Sequence, residues 1–434
     1  MNSIWTEITD RPQFAPLRGD IKTDVLVIGG GITGILCAYK LQRAGVDCIL
    51  VEADRICSGI TKNTTAKITL QHGLIYDKIL RRFGHEHAAL YLQAQRDAME
   101  QYRTLCQKIP CAYEELPAYV YSCKDRQKLE REAAAMERIG CSASIVESIP
   151  IPVPCVGAVR VERQAQFHPL RFAFDLAKDL PIYENTKILE LQSDGAVTER
   201  DKIFCEKVIV ATHFPFLNRH GSYFLKLYQH RSYVLALENG PKVEGMYLDE
   251  AEKGMSFRNY GNRLLLGGGS HRTGKRGGNW EELSDFAAQY YPNAKEVGRW
   301  ATQDCMSLDG IPYIGQYSRR TPHLYVATGF NKWGMTSSMV AADLLTDRIT
   351  GKCNPYASVF SPSRSMLHPQ LLANTAEALL GWLTPTVPRC PHLGCALKYN
   401  SQEHTWDCSC HGSRFTENGR LIDNPATGDK KNMP

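Results

Sequence analysis

Apolar residues near the start of the chain form two short runs on either side of a glycine-rich loop. Residues 24–28 (DVLVI) and 46–52 (VDCILVE) have the apolar, β-branched character of strands that are buried on both faces. Between them, residues 32–44 repeat apolar positions with helical spacing, and Gly45 follows as a helix stop. The pattern predicts a strand, a helix and a second strand in succession.

Three glycines with the spacing G-x-G-x-x-G lie where the first predicted strand meets the helix. In a dinucleotide site, Gly29 permits the tight turn, Gly31 lets a pyrophosphate approach the backbone, and Gly34 lets helix and strand pack closely. Glu52 ends the second strand, where it can accept hydrogen bonds from a ribose. The unit therefore predicts a bound dinucleotide, with a plain glycine turn as the alternative, and the spacing does not distinguish FAD from NAD.

The middle of the chain contains a charged helical pattern and then alternating patterns. Residues 124–140 predict a helix, while residues 231–239 and 262–269 alternate and predict antiparallel strands. The glycine cluster at 267–274 (GGGSHRTG) has no helix after it, and we interpret it as a turn at a strand end. Because no second strand–glycine–helix unit is present, we expect electrons to enter from an organic substrate rather than from NAD(P)H.

Length and composition limit the remaining possibilities. A chain of 434 residues predicts two or three domains. The net charge of +5 is spread evenly, which does not indicate a nucleic-acid partner. The sequence indicates neither a signal peptide nor a transmembrane segment. Most of the cysteines are scattered singly, which is typical of reduced thiols in a cytoplasmic protein.

Four further stretches resemble, in order, the D-amino-acid oxidase/glycine oxidase/sarcosine oxidase superfamily of FAD enzymes. They are RICSGITKNTTAKIT (55–69), KVIVATHFP (207–215), DCMSLDGIPYIG (304–315) and HLYVATGFNKWGMTSSMVAADLL (323–345). The resemblance covers about residues 20–350. It implies an α/β fold with a Rossmann-like FAD domain and an inserted antiparallel-sheet substrate domain.

The same resemblance implies a division of the first 350 residues and a set of FAD contacts. The FAD part would comprise about 20–75, 155–215 and 300–350, and the substrate part about 76–154 and 216–299. The segment ENTKILEL (184–191) would be the adenine-contacting strand, and a cation and a helix N-terminus at 329–334 would stabilise reduced flavin. The implied FAD contacts are Gly29, Gly31, Gly34, Glu52, Thr64, Thr65, Ile188, Gly329, Lys332 and Gly334.

The chain departs from that superfamily at the position of the substrate carboxylate. Its amino-acid oxidases place an arginine just ahead of the Asp-Gly-x-Pro segment, whereas residues 304–306 are Asp, Cys and Met. An α-amino acid is therefore not indicated as the substrate, unless Arg258 supplies the positive charge. No catalytic base stands out, and His213, Tyr233 and Lys332 are the candidates.

Two cysteine–histidine clusters lie near the C-terminal end, CPHLGC (390–395) and CSCHGS (408–413). A structural zinc site, a disulfide module and a Rieske [2Fe–2S] centre are the alternatives. Each cluster offers both a thiolate and an imidazole, whereas zinc fingers commonly pair cysteine with cysteine and histidine with histidine. The spacing therefore favours a two-iron cluster.

The two clusters closely resemble those of Rieske proteins that carry an extra disulfide. The resemblance implies that two cysteines bind one iron and two histidines the other, namely Cys390 and Cys408, and His392 and His411. It also implies a disulfide between Cys395 and Cys410, worth roughly 3 kcal/mol in the chain-entropy model. Phe415 stands where high-potential members have a tyrosine, which implies a lower potential. The module is short: it comprises residues 387–434 and follows a linker with a short helix at 351–386. The cluster and the disulfide would stabilise it.

Together these features predict an FAD-dependent oxidoreductase that dehydrogenates a small amine or imino compound. Electrons would leave singly through the cluster to an external acceptor, and the histidine-ligated iron, near the surface, would be the exit. The alternatives are reverse flow, in which a donor protein feeds the cluster and flavin reduces a substrate, and a non-catalytic flavin- and metal-binding redox protein.

Overall fold

The fold contains three β-sheets and a set of helices, seen in a computed structural model that describes residues 3–8, 10–217, 220–385, 388–431 and 433. Thr386 and Val387, at the boundary between the predicted linker and the last module, lie outside the described residues. In chain order the strands are β1 (Ile21–Ile28), β2 (Cys48–Val51), β3 (Lys67–Ile68), β4 (Glu114–Ser122), β5 (Ser144–Val146), β6 (Gly157–Gln166), β7 (Ile182–Tyr183), β8 (Glu190–Gln192), β9 (Gly195–Val197), β10 (Lys202–Val210), β11 (Leu227–Glu238), β12 (Met246–Asp249), β13 (Ser256–Tyr260), β14 (Arg263–Arg272), β15 (Lys295–Ser307), β16 (Tyr313–Gln316), β17 (Leu324–Thr328), β18 (Leu397–Asn400), β19 (Thr405–Cys408), β20 (Arg414–Thr416) and β21 (Leu421–Asp423). The α-helices are α1 (Ile32–Arg43), α2 (Tyr76–Cys106, interrupted at Gly84), α3 (Arg126–Arg138), α4 (Pro169–Ala177), α5 (Tyr223–Lys226), α6 (Glu281–Tyr290), α7 (Gly334–Ile349), α8 (Ala357–Phe360) and α9 (Pro369–Leu383).

The first sheet has the strand order β16-β17-β10-β1-β2-β7, and the pairs from β17 to β7 are parallel. Its central strand is apolar on both faces, as the sequence predicts: Val25 and Val27 join one core cluster, and Leu26 and Ile28 join another. The predicted strand–helix–strand unit is β1, α1 and β2. Helix α7 packs beside α1, where Thr33 Oγ1 hydrogen-bonds Ser338 Oγ at 2.8 Å.

The glycine loop of this unit has no room for side chains at two of its positions. Gly29 has a φ of +110°, and a Cβ there would lie 2.7 Å from the backbone oxygen of Ala211. A Cβ on Gly34 would overlap the backbone oxygen of Gly29. Close packing of α1 on β1 therefore requires glycine at position 34.

The second sheet has the order β15-β11-β14-β13-β12-β4-β6-β3, and β5 pairs with β6. The predicted antiparallel strands are β11 and β14, and the charged helical pattern is α3. The third sheet is small, with the order β18-β19-β20-β21, and helix α9 precedes it. No helix among the described residues is long and apolar enough to cross a membrane.

The structure differs from the sequence interpretation in three details. Strand β6 and the part of β15 from residue 300 onward lie in ranges that were assigned to the FAD part, but both strands pair within the second sheet, with β4 and β11. The segment 184–191 is largely irregular, since residues 184–189 have no strand partner. Residues 267–272 belong to β14 itself, where Gly269 has a φ of +61° in a bulge of β14 opposite Ser232 of β11. The overall division into two discontinuous parts stays a proposal.

Candidate functional site

A cavity of about 1420 Å³ lies between the first and second sheets and extends to the last module. Most of the predicted FAD contacts line it, namely Gly29, Gly31, Glu52, Thr64, Thr65, Ile188, Lys332 and Gly334. Gly34 and Gly329 do not line it. Gly34 lies at the contact of helix and strand, and Gly329 forms a left-handed turn with a φ of +71° after β17.

One end of the cavity is shaped by Glu52 and the glycine loop. The Glu52 carboxylate accepts hydrogen bonds from the amides of Gly30 (2.6 Å) and Asp54 (2.9 Å), one on each oxygen. Burial raises the pKa of Glu52, and these amides oppose that rise. Each carboxylate oxygen keeps a second lone pair, so the side chain can still accept a bond from a hydroxyl group.

Lys332 places a cation in another part of the cavity wall. Its ammonium donates to the hydroxyls of Ser232 (3.3 Å) and Ser270. Helix α7 begins two residues later, at Gly334. Asp304 also lines the cavity, where burial raises its pKa while Lys332 and Arg231 oppose that rise. Asp304 and the two serines were not predicted as site residues. In the sequence, Asp304 stands out only because amino-acid oxidases of the superfamily have an arginine near that position.

All three catalytic candidates line the cavity, but they do not form one group. His213 Nε2 lies 3.2 Å from Gln229 Oε1, and burial lowers the pKa of His213. The hydroxyl of Tyr233 lies 3.1 Å from His271 Nε2, and burial raises the Tyr233 pKa to about 12, which keeps the phenol protonated. None of these hydrogen bonds joins two of the candidates.

Arg258 does not supply a charge to the cavity. It is 1% exposed, and it donates to the backbone oxygens of Thr65 and Ala66. Its guanidinium carbon also lies 5.5 Å from the ring centroid of Trp5. Nη2 of Arg258 is buried with no hydrogen-bond partner among the described residues, and Arg258 does not line the cavity, so the structure does not support the suggestion that it binds a substrate carboxylate.

The two cysteine–histidine clusters lie on neighbouring loops at one end of the third sheet. Strand β19 runs into the second cluster, and the pairing of Leu397 with Cys408 brings it beside the chain that leaves the first. Cys395 and Cys410 form a disulfide with a Cα–Cα distance of 6.6 Å, as the Rieske resemblance implied. Their two sulfur atoms and that of Cys408 lie within 4.8 Å of one another. A three-cysteine metal site is excluded, because two of these sulfurs are bonded to each other.

The four residues implied as cluster ligands face one another. The rings of His392 and His411 are 4.9 Å apart between centroids. A hydrogen bond between the two thiols lowers the pKa of Cys390 to about 7 against the opposing effect of burial, and the amides of His392 and Leu393 and the Ser413 hydroxyl assist. Thiolate is the form that binds metal.

The donor set fits a Rieske cluster. Nδ1 of His411 is buried and has no hydrogen-bond partner in the part of the chain that the structure describes. A buried, unpaired ring nitrogen is costly unless a ligand is bound there. Burial lowers the pKa of His411 to about 3, so the imidazole is neutral, as metal binding requires. Two thiols and two imidazoles on paired loops match the ligand set of this cluster type.

The two implied histidine ligands differ in exposure: His392 is half-buried, whereas His411 is not at the surface. His411 is 3% exposed. Its ring centroid lies 6.3 Å from that of Phe214 and 6.4 Å from that of Phe224, and both phenylalanines belong to the part of the chain before α9. The larger part of the protein therefore covers His411, while an electron exit at the histidine-ligated iron, beside the half-buried His392, stays a proposal.

The last module also contributes to the cavity wall. Residues 420–424 and 426–429, which follow β20, line the same cavity as Gly29 and Glu52. The side-chain amide of Asn424 donates to the backbone oxygens of Thr212 (2.6 Å) and Phe214 (2.7 Å). The amide of Ala426 donates to Ser413 Oγ at 2.9 Å. One loop thus contacts the second cysteine–histidine cluster on one side and the cavity on the other.

Comparisons with known proteins agree with both parts of this site. The family model described as FAD dependent oxidoreductase matches residues 24–348, and that of the Rieske [2Fe-2S] domain matches residues 381–434. The chain therefore belongs to the FAD-dependent oxidoreductase family, and it carries a C-terminal Rieske domain. It uses FAD and a [2Fe–2S] cluster.

Individual relatives align with the whole chain or with its larger part. YhfW of Bacillus subtilis, whose name describes a Rieske 2Fe-2S iron-sulfur protein, is 36% identical over 489 aligned positions, covering 98% of this chain and 96% of the relative. Gamma-glutamylputrescine oxidoreductase of Escherichia coli is 24% identical over 78% of this chain and 86% of its own length. The structure of glycine oxidase from Geobacillus kaustophilus superposes with a TM-score of 0.67 at 21% identity, covering 80% of this chain and 100% of that one.

Proposed function

We propose that the protein dehydrogenates a small amine or imino compound and passes the electrons singly, through its Rieske domain, to an external acceptor. FAD, when bound, takes a hydride from the substrate, and the cluster exchanges single electrons. The observation that carries the proposal is the shared loop at 420–429, which lines the cavity and contacts the second cysteine–histidine cluster. Two cofactors held in one chain have a high effective concentration for each other.

The residues proposed to hold FAD act at different parts of the cavity. Glu52 accepts hydrogen bonds from the ribose, and Ile188 contacts the adenine. Lys332, oriented by two serine hydroxyls, keeps a cation in the wall, where it stabilises negative charge on the reduced cofactor. The whole proposed set is Gly29, Gly31, Gly34, Glu52, Thr64, Thr65, Ile188, Gly329, Lys332 and Gly334.

The residues proposed to hold the cluster are Cys390 and Cys408 on one iron and His392 and His411 on the other. The disulfide between Cys395 and Cys410 joins the two loops that carry them. Gly381 of helix α9 packs against this disulfide, since a Cβ there would lie 2.6 Å from Cys410 Sγ. The small module is thus supported by the helix before it.

An amine or imino substrate is favoured over an α-amino acid by the side chains in the cavity. Asp304, on β15, faces the cavity where amino-acid oxidases of the family carry an arginine. In its ionised form, which Lys332 and Arg231 favour against burial, Asp304 repels a substrate carboxylate and attracts a protonated amine. Gamma-glutamylputrescine oxidoreductase, a relative over most of the chain, is named for a substrate of the amine type. We place the protein in the cytoplasm, because its many thiols outside the disulfide are free.

An anaerobic survey of amines, imino compounds and amino acids tests the proposal. The flavin absorbance should bleach with an amine or imino compound, and an added one-electron acceptor should restore it. The control is Cys390→Ser, which should still bleach with the same compound but should recover much more slowly with a one-electron acceptor protein. Bleaching by no organic donor, together with full reduction by a reduced ferredoxin, would instead indicate reverse flow.

A further inference from the structure

The second cluster loop is held by a row of polar side chains on three adjacent strands of the second sheet. Arg272 of β14 donates to the backbone oxygens of Ser409 (3.1 Å) and Cys410 (3.2 Å). Gln229 of β11 donates to that of His411 at 3.0 Å, and Gln303 of β15 donates to that of Gly412 at 2.8 Å. Four successive carbonyls of the loop therefore have partners outside the module.

Gln229 has contacts that the other two side chains lack. Its amide also donates to the backbone oxygen of Asn424 at 3.0 Å, and its Oε1 lies 3.2 Å from His213 Nε2. His213 lines the cofactor cavity. One side chain, 1% exposed, thus joins the ligand loop, the loop at 420–429 and the cavity wall.

The backbone of the loop also approaches Gln229 closely. Gly412 has a φ of +85°, and a Cβ there would lie 2.6 Å from the Cβ of Gln229. The loop therefore rests directly on β11, and a shift of either one would break two hydrogen bonds and a tight contact. Buried hydrogen bonds of this kind are costly to leave unpaired, about 1–3 kcal/mol for each group.

We infer that Gln229 is a positioning residue for electron transfer within the chain, and that the Rieske domain works in this fixed position without swinging away from the cavity. This inference rests on the proposed function. Over two transfers the reduced flavin would give up two electrons and release its N5 proton to solvent, and each electron would take one cluster iron from ferric to ferrous before it passes to the acceptor. Gln229 acts through the loop that it holds, and not on the substrate.

The test compares Gln229→Leu with Gln303→Leu in the protein loaded with both cofactors. Gln303 is an equally buried glutamine that binds the same loop but contacts neither His213 nor Asn424 among its described hydrogen bonds. Flavin is reduced by a light pulse with an external photoreductant, and the appearance of reduced cluster is followed over time. Cluster potential and paramagnetic spectrum are recorded for each variant.

We expect Gln229→Leu to slow the transfer several-fold, because the rate of electron tunnelling falls as the distance between the cofactors grows. Its cluster potential and spectrum should match those of the wild type, since no ligand is changed. Gln303→Leu should slow the transfer less. Equal rates in Gln229→Leu and wild type, or equal slowing in both variants, would overturn the role of Gln229.

A second measurement uses the wild-type protein alone and does not depend on any variant folding. The transfer rate should be independent of solvent viscosity, because a fixed domain does not diffuse between two positions. A rate that falls as viscosity rises would overturn the fixed position. Because light supplies the electrons, these outcomes do not depend on which substrate the enzyme uses, and failure of the wild type to transfer any electron would contradict the proposed function itself.

Discussion

Arg231 of β11 and Glu403 of the Rieske domain form a buried ion pair in which two guanidinium nitrogens bind the two carboxylate oxygens. Their side chains are 3% and 10% exposed. Arg414 also binds Glu403 and extends the network to Asp407 and Asp423. The contact between the domains is therefore electrostatic as well as hydrogen-bonded, and its partners were not recognised in the sequence.

Removing the charge of Glu403 should destabilise this contact strongly. In Glu403→Gln, Arg231 keeps a buried charge with no other carboxylate among its described contacts, and breaking a buried pair in this way costs about 3–5 kcal/mol. Unfolding of the Rieske domain in urea, followed by its visible absorbance, measures the loss. The double variant Arg231→Met, Glu403→Gln removes both charges and should regain part of the stability. A double variant no more stable than Glu403→Gln would contradict this account.

The same pair should make the domain sensitive to acid. Burial opposes ionisation of Glu403, but Arg231 and Arg414 outweigh it and hold its pKa below the ordinary 4.5. A lowered folded-state pKa stabilises the fold above pH 4.5, and this contribution disappears as the pH falls through the folded-state value. The urea midpoint should therefore fall on acidification more steeply in the wild type than in Glu403→Gln. Parallel pH profiles would show that Glu403 is not responsible.

Substitutions beside the cluster ligands should shift its potential in opposite directions. Phe415 is fully buried in the same core as Cys390 and Cys408. By the Rieske resemblance, Phe415→Tyr adds a hydrogen bond to a cluster cysteine and should raise the potential. Ser413→Ala removes a hydroxyl that contacts Cys390 and should lower it. Redox titration followed by paramagnetic resonance measures both, and an unchanged potential in Phe415→Tyr would reject this explanation.

Two glycine substitutions should distinguish a position that has no room for a Cβ atom from a position where glycine is favoured only by its positive φ. Gly34→Ala places a Cβ against the Gly29 carbonyl, so α1 must move away from β1 and the protein should lose bound FAD. Gly45→Ala is the control, because Gly45 has a φ of +74° but open space around it, and it should cost only about 1–2 kcal/mol. The FAD content of the two purified variants distinguishes them. Full FAD content in Gly34→Ala would be the contrary result.

Local patterns predicted the elements that depend on local chemistry. The unit β1–α1–β2 follows from apolar periodicity and glycine spacing, and the disulfide from a resemblance at a few cysteines. Ile188 was placed in an adenine-contacting strand by resemblance to the superfamily, but its backbone has no partner strand. The pairing of β6 and β15 within the second sheet was not predicted, because pairing partners are set by the tertiary fold and propensity does not reveal them.

The contact between the domains could not be predicted from the sequence. Gln229 and His411 are 182 positions apart, and their bond depends on how two domains pack. A signal was present in β11, whose residues 228–232 (YQHRS) are polar on both faces. A strand with no apolar face suggests that each side meets a polar partner. Here one side faces the cofactor cavity, and the other binds the Rieske domain.

Paramagnetic resonance on the anaerobic protein, after addition of an amine or imino compound that bleaches its flavin, tests the central claim most directly. The account predicts that the signal of a reduced, histidine-ligated two-iron cluster appears in the same sample, without any added mediator. A fully reduced flavin beside a cluster that stays oxidised, in protein shown to contain both cofactors, would contradict it.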